Sequence, residues 1–382
     1  MTTIGNLEAE ADRRAAAGDF GGAKSLLEQA LETGASSPEL LAKLSAMRKA
    51  SGDLKGALDA LNRALVLSPL DFSSLLSRAL LLERLGDPKA GYEFGKALAQ
   101  APDDSAIPAL MKPALAHARE IWSAYQARQE KHLSDAVPDG LTLFERQKAE
   151  RFISNQSRRT RTFHQEPSDF EYPGLPELEF HDRTLFPGLE ALEKSTAEIR
   201  GEFEALIAAE AAEMVPYIQY PEGVPLQQWE ELNHSREWTA IHLIQNGSRV
   251  EANARHCPAT MAAIGQLPQP RIPGAAPNAM FSLLAPNTRI PPHTGVANIR
   301  LVCHLPLIVP PNCGFRAGET TRQWHVGEAF VFDDTIEHEA WNDSDSLRVV
   351  LIVDLWPPAL SEAERETVAA VIGAVGVSFG GV

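Results

Sequence analysis

Two histidines and an arginine carry the chemistry that this sequence offers. His293 lies in PPHTGVANIRLVCHLPL and His338 in EAFVFDDTIEHEAWNDSDSLRVVLIVDLW, with Arg348 ten residues beyond the second histidine. Neutral imidazoles suit iron, zinc, copper or nickel, and a guanidinium fork suits a carboxylate held through two parallel hydrogen bonds. A metal beside an arginine that grips a dicarboxylate is what a 2-oxoglutarate-dependent oxygenase requires. The competing reading is ordinary: the chain has 11 histidines, and two of them in one region need not share an ion.

Groups of this kind need a stiff frame, and the residues around them alternate as half-buried strands do. Ile299, Leu301, Cys303 and Leu305 fall on one face, and Arg300, Val302 and His304 on the other, which makes the second face a polar interior. Strands are predicted at about Thr239 to Gln245, Ala279 to Leu284, Ile299 to Ile308, Ala329 to Asp333 and Leu347 to Trp356. The loops IPGAAP, APNTRIPP and IVPPNCG separate them, and such spacing argues a β-sandwich or barrel. An amphipathic helix is expected over Gly188 to Glu210. Ser361 and Glu364 make a capping box for a last helix to about Ala374, followed by a glycine-rich tail.

The N-terminal part is different in kind. Gly18-Asp19, Gly52-Asp53 and Gly86-Asp87 recur at a spacing of 34 residues, with Ala23, Ala57 and Gly91 in phase. Ala30 and Ala64 continue the pattern, Ala97 follows one residue short, and Pro69 and Pro102 close two units. Helix, Gly-Asp turn, helix and closing proline resemble tetratricopeptide repeats. Each helix pair has an apolar stripe that it cannot bury alone, so neighbours stack into a solenoid. Its concave face is a docking groove for a peptide or protein, or the array is a brace. The expected domains are therefore 1–104 (helical repeats), 105–180 (helical connector and linker) and 181–382 (the β domain). Within the connector, Pro113 should kink or split a helix, and His164 to Glu179, with three prolines, reads as an extended wrapping loop.

Composition narrows the partners. The formal charge of −16 disfavours nucleic acid and anionic membranes. The cluster Arg158, Arg159 and Arg161 reads as solvated surface. No apolar run approaches the roughly 20 residues of a membrane span. Three cysteines make neither a zinc-type spacing nor a secreted framework, so a cytoplasmic enzyme is expected, with Cys303 in the core and Cys257 an ordinary loop thiol.

The segments HTGVANIRLVCHL and FDDTIEHEAWNDSDSLRVVLIVDLWPP resemble the signature of the aspartyl/asparaginyl β-hydroxylase family, and the likeness extends upstream through WTAIHLIQNGSRVEANARHCP and AMFSLLAPNTRIPPHTG. It spans roughly Trp238 to Leu360. The resemblance implies a double-stranded β-helix, or jelly roll, with His293 and His338 as ligands of iron(II). Most non-haem iron oxygenases carry a carboxylate two residues after the first histidine. Here that residue is Gly295, as this family's pattern has it, and water would fill the vacant place. Asp333, Asp334, Glu337 and Glu339 are expected in structural roles instead.

By the same resemblance Arg348 pairs with the distal carboxylate of 2-oxoglutarate, Ser282 helps it, and His304 lies near the chelating end of the co-substrate. Arg300 would contact a substrate carboxylate, and Arg249 is a further candidate for that. Val302 stands where related chains carry a second arginine, which leaves one cation fewer beside the metal. His242 and His325 match no motif and are read as ordinary. The implied reaction couples oxidative decarboxylation of 2-oxoglutarate by dioxygen, to succinate and carbon dioxide, with hydroxylation of a C–H bond.

The leading expectation is hydroxylation of the β-carbon of an Asp or Asn residue in a peptide or protein recruited through the repeats. Without a span, a lipid substrate is disfavoured. The alternatives are hydroxylation of a free or carrier-bound amino acid, a non-catalytic repeat-containing interaction protein, and a cupin-like zinc or manganese isomerase.

Overall fold

The computed structural model describes residues 4–34 and 36–375, and the glycine-rich tail lies outside them. The chain divides into two compact units, Met1–Thr160 and Arg161–Val382. The division falls inside the 105–180 segment, whose helices belong to the first unit and whose extended stretch belongs to the second.

The first unit is built from helix pairs: α1 (Ile4–Ala16) with α2 (Phe20–Glu32), α3 (Pro38–Ala50) with α4 (Leu54–Leu67), and α5 (Phe72–Arg84) with α6 (Ala90–Leu98). The Gly-Asp repeat has a mechanical reason. Gly18, Gly52 and Gly86 turn the chain at φ of +81°, +86° and +70°, where a Cβ would be strained. The following Asp19 and Asp53 cap α2 and α4 by accepting from the backbone N–H of Gly22 and Gly56. Ala23, Ala57, Ala30, Ala64 and Ala97 are buried at the helix contacts. These helix pairs resemble tetratricopeptide repeats.

Two helices follow, α7 (Lys112–Ser134) and α8 (Leu143–Gln156). Pro113 begins α7 instead of kinking it, because in the first turn its missing N–H would have no helical partner anyway. α7 comes close to α6 along Gly91 and Gly95, where an added Cβ would collide with the rings of Tyr125 and Trp122. In the arginine run, Arg159 pairs with Glu130 at 3.1 Å.

The second unit opens with the extended stretch, then α9 (Leu189–Lys194) and α10 (Thr196–Ala208), one expected helix broken at Ser195. There follow β1 (Val215–Pro216), β2 (Trp238–Gln245), β3 (Ser248–Arg249), α11 (Glu251–Ala254) and α12 (Pro258–Ile264). Then come β4 (Ala279–Leu284), β5 (Thr288–His293), β6 (Leu301–Ile308), β7 (Cys313–Ala317), β8 (Thr320–Arg322), β9 (Phe330–Phe332), β10 (His338–Asn342), β11 (Arg348–Leu355) and α13 (Glu362–Val375). Ser361 and Glu364 form the capping box at the start of α13.

The strands make two antiparallel sheets, β1-β2-β4-β11-β6-β9 with β3 beside β2, and β5-β10-β7-β8. Neither closes into a barrel. All five predicted strands lie in the larger sheet. One face of it, carrying Phe281, Leu283, Leu305, Leu351 and Val353, packs on α9, α10 and α12. Cys303 is in this core as expected, and Cys257, in the turn between α11 and α12, is not an ordinary loop thiol but joins the core fully buried. The other face, with Val302, Val350 and Ile352, meets Ile290, Phe315 and Ala340 of the smaller sheet. Alternation along β11 therefore sends its odd-numbered residues to the helices and its even-numbered residues, Arg348 to Asp354, between the sheets.

Candidate active site

Between the sheets lies a cavity of about 290 Å³, and side chains from both sheets reach it. His293 ends β5 and His338 begins β10, and the two are cross-strand partners beside a register shift. Their ring centroids are 4.0 Å apart. His293 Nδ1 lies 2.8 Å from the carbonyl of Pro291, and His338 Nδ1 lies 3.1 Å from that of Ile336. A carbonyl only accepts, so each Nδ1 carries the proton and each Nε2 keeps its lone pair.

Burial holds both rings neutral. It pushes His338 down to about 4, and His293 falls well below the ordinary imidazole range through burial and the neighbouring His338. Two neutral nitrogen donors with fixed tautomers are what a metal needs. Among the described residues no group of three or more His, Cys, Asp or Glu side chains gathers as a metal cage. A metal on this pair would keep several positions open for other ligands.

Gly295 has a steric consequence. A Cβ at this position would overlap the carboxylate of Asp334. Asp334 in turn is 2.9 Å from Arg300. The other acids are engaged as well: Asp333 accepts from Thr335 and Gln165, while Glu337 and Glu339 pair with Arg316.

Across the cavity Arg348 is 2 % exposed. Its Nη1 donates to the carbonyl and hydroxyl oxygens of Ser282, at 3.2 and 3.3 Å, and the guanidinium lies 4.9 Å from the ring centre of Trp324. Trp238 Nε1 donates to the same Ser282 hydroxyl at 3.1 Å. Among the described residues no carboxylate pairs with Arg348, and burial brings its pKa down to about 10. A buried guanidinium without an anion is costly, so this corner is shaped for one. His304 stands beside it, accepting from Trp324 Nε1 at 3.4 Å among Phe315, Phe330 and Phe332.

Arg300 lines the cavity too, but between two aspartates. Its Nη1 is 2.9 Å from Asp334 and 3.5 Å from Asp354. Burial works against its charge, and the two carboxylates outweigh that and hold it above its ordinary value. Asp354 also accepts from the backbone N–H and side-chain amide of Asn278, at 2.7 and 3.1 Å.

The structure thus brings His293, His338, Ser282, His304, Arg348 and Arg300 together around one cavity. Arg249 is not among them. It is exposed on β3, with Nε 3.0 Å from Glu251. His325 is exposed as well. Sequence reasoning read His242 as ordinary and passed over Tyr217, Trp324 and Asp354, and all four line the cavity. For Asp354 the signal was present: it shares the strand parity of Arg348.

Residues 193–358 match the family described as Aspartyl/Asparaginyl beta-hydroxylase. The chain is 33% identical over 207 residues to the Xenopus tropicalis protein named Aspartate beta-hydroxylase domain-containing protein 2, covering 53% of each. It is 34% identical over 151 residues to the Homo sapiens Aspartyl/asparaginyl beta-hydroxylase, covering 39% of this chain and 20% of that protein. It is 34% identical over 201 residues to the Rhizobium tropici Ornithine lipid ester-linked acyl 2-hydroxylase, covering 52% of this chain and 67% of that one. The chain spans about half the length of the Xenopus relative and a fifth of the human one. The Sgt2 tetratricopeptide domain of Aspergillus fumigatus aligns with 37% of this chain and 89% of its own, at 19% identity and a TM-score of 0.28. No helix among the described residues is long and apolar enough to cross a membrane.

Proposed function

The chain belongs to the aspartyl/asparaginyl β-hydroxylase family, and from that premise we propose that it is an iron(II)- and 2-oxoglutarate-dependent dioxygenase acting on the β-carbon of an Asp or Asn residue in a peptide or protein. The observation that carries this reading is the placement of two neutral, adjacent imidazoles on the same cavity as a buried arginine that has no anionic partner among the described residues.

His293 and His338 would hold iron(II) through Nε2, and Arg348 with Ser282 would hold the distal carboxylate of 2-oxoglutarate. With these bound, the centre would use dioxygen to decarboxylate the co-substrate to succinate and hydroxylate a C–H bond. The protein's own share is positional. The carbonyls of Pro291 and Ile336 fix both ring tautomers, and the surrounding Phe315, Phe330 and Phe332 exclude water from the space beside His304. The two facing sheets fit the double-stranded β-helix of this family, and the stacked helix pairs of the first unit are proposed to dock the peptide. Gln219, Gln245, Asn246 and Asn278 line the cavity and suit a substrate carrying polar amides better than an acyl chain.

The test is succinate formation by the full chain with iron(II), ascorbate and 2-oxoglutarate, run beside calorimetry with manganese(II) and 2-oxoglutarate. Wild type binds both ligands and turns over, and His338→Ala does neither. A His338→Ala variant with wild-type turnover overturns the reading.

A further inference from the structure

The cavity wall carries two cations and two anions, and their pairing restricts the substrate. The cations are Arg300 and Arg348, and the anions are Asp334 and Asp354. On the hydroxylase reading Arg348 is taken by the co-substrate. That leaves Arg300 as the single cation for a substrate, and its guanidinium already lies between two buried carboxylates, 2.9 and 3.5 Å away. This group of three has a net negative charge. Other parts of the wall are apolar or neutral: Met280, Val302, Ala340 and Ile352, and the amides of Gln219, Gln245, Asn246 and Asn278. Arg249, a further candidate cation in the sequence, is exposed and paired with Glu251.

We infer that the side chain accepted by this cavity is a neutral carboxamide and not a carboxylate. A third carboxylate brought against Arg300 would enter a buried group whose charge is already negative, with no cation but the co-substrate's Arg348 left among the described wall residues to balance it, and burying an unbalanced charge is strongly unfavourable. The hydrogen-bonding capacity left on this wall points the same way. Arg300 Nε is a buried donor without a partner, and Asp334 Oδ1 is a buried acceptor without one. A carboxamide offers one carbonyl oxygen to the first and an N–H to the second. A carboxylate offers oxygens only, and one of them would face Asp334. A site built to hydrogen-bond a particular group discriminates more sharply than an apolar pocket does, because the wrong group leaves buried partners unmet.

This inference rests on the hydroxylase reading, and the experiment separates the two. The full chain is loaded with manganese(II) and titrated with 2-oxoglutarate in a calorimeter. Failure to bind at this first step removes the hydroxylase reading and the inference with it. The resulting complex is then titrated with N-acetyl-L-asparagine methylamide and, separately, with N-acetyl-L-aspartate methylamide at pH 7.5. The expected result is binding of the asparagine probe at least about tenfold tighter than the aspartate probe. Equal or tighter binding of aspartate overturns the inference and leaves the hydroxylase reading standing, and so does failure of both probes, which would place recognition outside this cavity. Val302→Arg supplies a second cation on the wall. It is expected to bring the aspartate probe within about threefold of the asparagine probe, and an unchanged ratio would show that charge is not the cause.

Discussion

His293 and His338 are held side by side by their own backbones: each donates Nδ1–H to the carbonyl two residues before it, and the ring centroids stand 4.0 Å apart with the ring planes at 52°. The orientation of both lone pairs is therefore set by β5 and by the turn leading into β10, before any ligand arrives. Replacing either ring with Ala removes a donor that nothing nearby can supply. Loss of a merely supporting contact to a metal ligand costs about 10–100-fold in affinity. His293→Ala and His338→Ala should each weaken manganese(II) binding by more than about 100-fold in calorimetry, and unchanged affinity would make the pair structural.

The neutrality of the pair sets its pH dependence. Two exposed imidazoles with a pKa near 6.5 would lose about 100-fold in metal affinity between pH 7.5 and 5.5, because a proton competes at each. His338 protonates only near 4, and His293 is also well below the ordinary range, both chiefly through burial. Manganese(II) affinity should change less than about threefold over that interval. A 100-fold loss would mean that water reaches the rings.

The same burial predicts acid sensitivity of the metal-free fold. His181 and His338 have folded values near 4, below their unfolded 6.5, so the unfolded chain takes up protons first as pH falls. Stability is full above about 6.5 and is lost towards 4, by on the order of 3 kcal/mol for each. Asp333 works in the opposite sense. Burial raises it to about 6, so its contribution improves as pH falls from 6 towards 3.8. With two histidines against one aspartate, the urea midpoint should fall between pH 7 and pH 5, and His181→Phe should flatten the decline.

Gly295 is the position where a third, carboxylate ligand would be sought. A Cβ there would overlap the Asp334 carboxylate, which is tied to Arg300. Gly295→Asp should therefore not tighten metal binding. It sets two carboxylates against one another and displaces Asp334 from its arginine, a change expected to cost about 3–5 kcal/mol, as breaking a buried pair does. Thermal unfolding with and without manganese(II) checks both statements.

Arg348 is proposed as the anion site. Arg348→Met keeps most of the packing against Trp324 and removes the charge. Loss of 2-oxoglutarate affinity by about 2–5 kcal/mol is expected, the usual effect of deleting one member of a buried charge pair. The ligand-free variant should be no less stable than wild type, because burial already disfavours this cation and brings it to about 10. A less stable ligand-free variant would show that Ser282 alone satisfies the guanidinium.

The larger sheet was legible in the sequence because its strands are long and alternate cleanly, as β6 and β11 do. The smaller sheet was not. β5 carries Pro291 and Pro292, which read as loop and are tolerated because β5 is an edge strand. β7 and β10 are five residues each and place Arg316 and Glu339 side by side, so no apolar run marks them. The histidines were found by their motifs, but the strand register that makes them partners was not. Arg300 shows the further limit. Its position on the polar face was readable, whereas its two aspartates come from distant segments, and only the fold brings them within reach.

The repeat motif carries a test of its own, in the contact between α6 and α7. Gly91 and Gly95 lie one turn apart on α6, and added Cβ atoms would collide with Tyr125 and Trp122, whose rings stack at 5.6 Å. In an open helix, Gly→Ala is worth about 1 kcal/mol of stability. Gly201 in α10 has nothing within 4 Å, so Gly201→Ala should stabilise by about that much. Gly95→Ala gains the same propensity but must move a packed indole, and overpacking costs about 1–3 kcal/mol. The expected net result is a loss, with faster hydrogen exchange in α6 and α7. The same substitution would then have opposite signs at two helical glycines, decided by what stands opposite each. If Gly95→Ala proved as stabilising as Gly201→Ala, α7 would not be closely seated on α6.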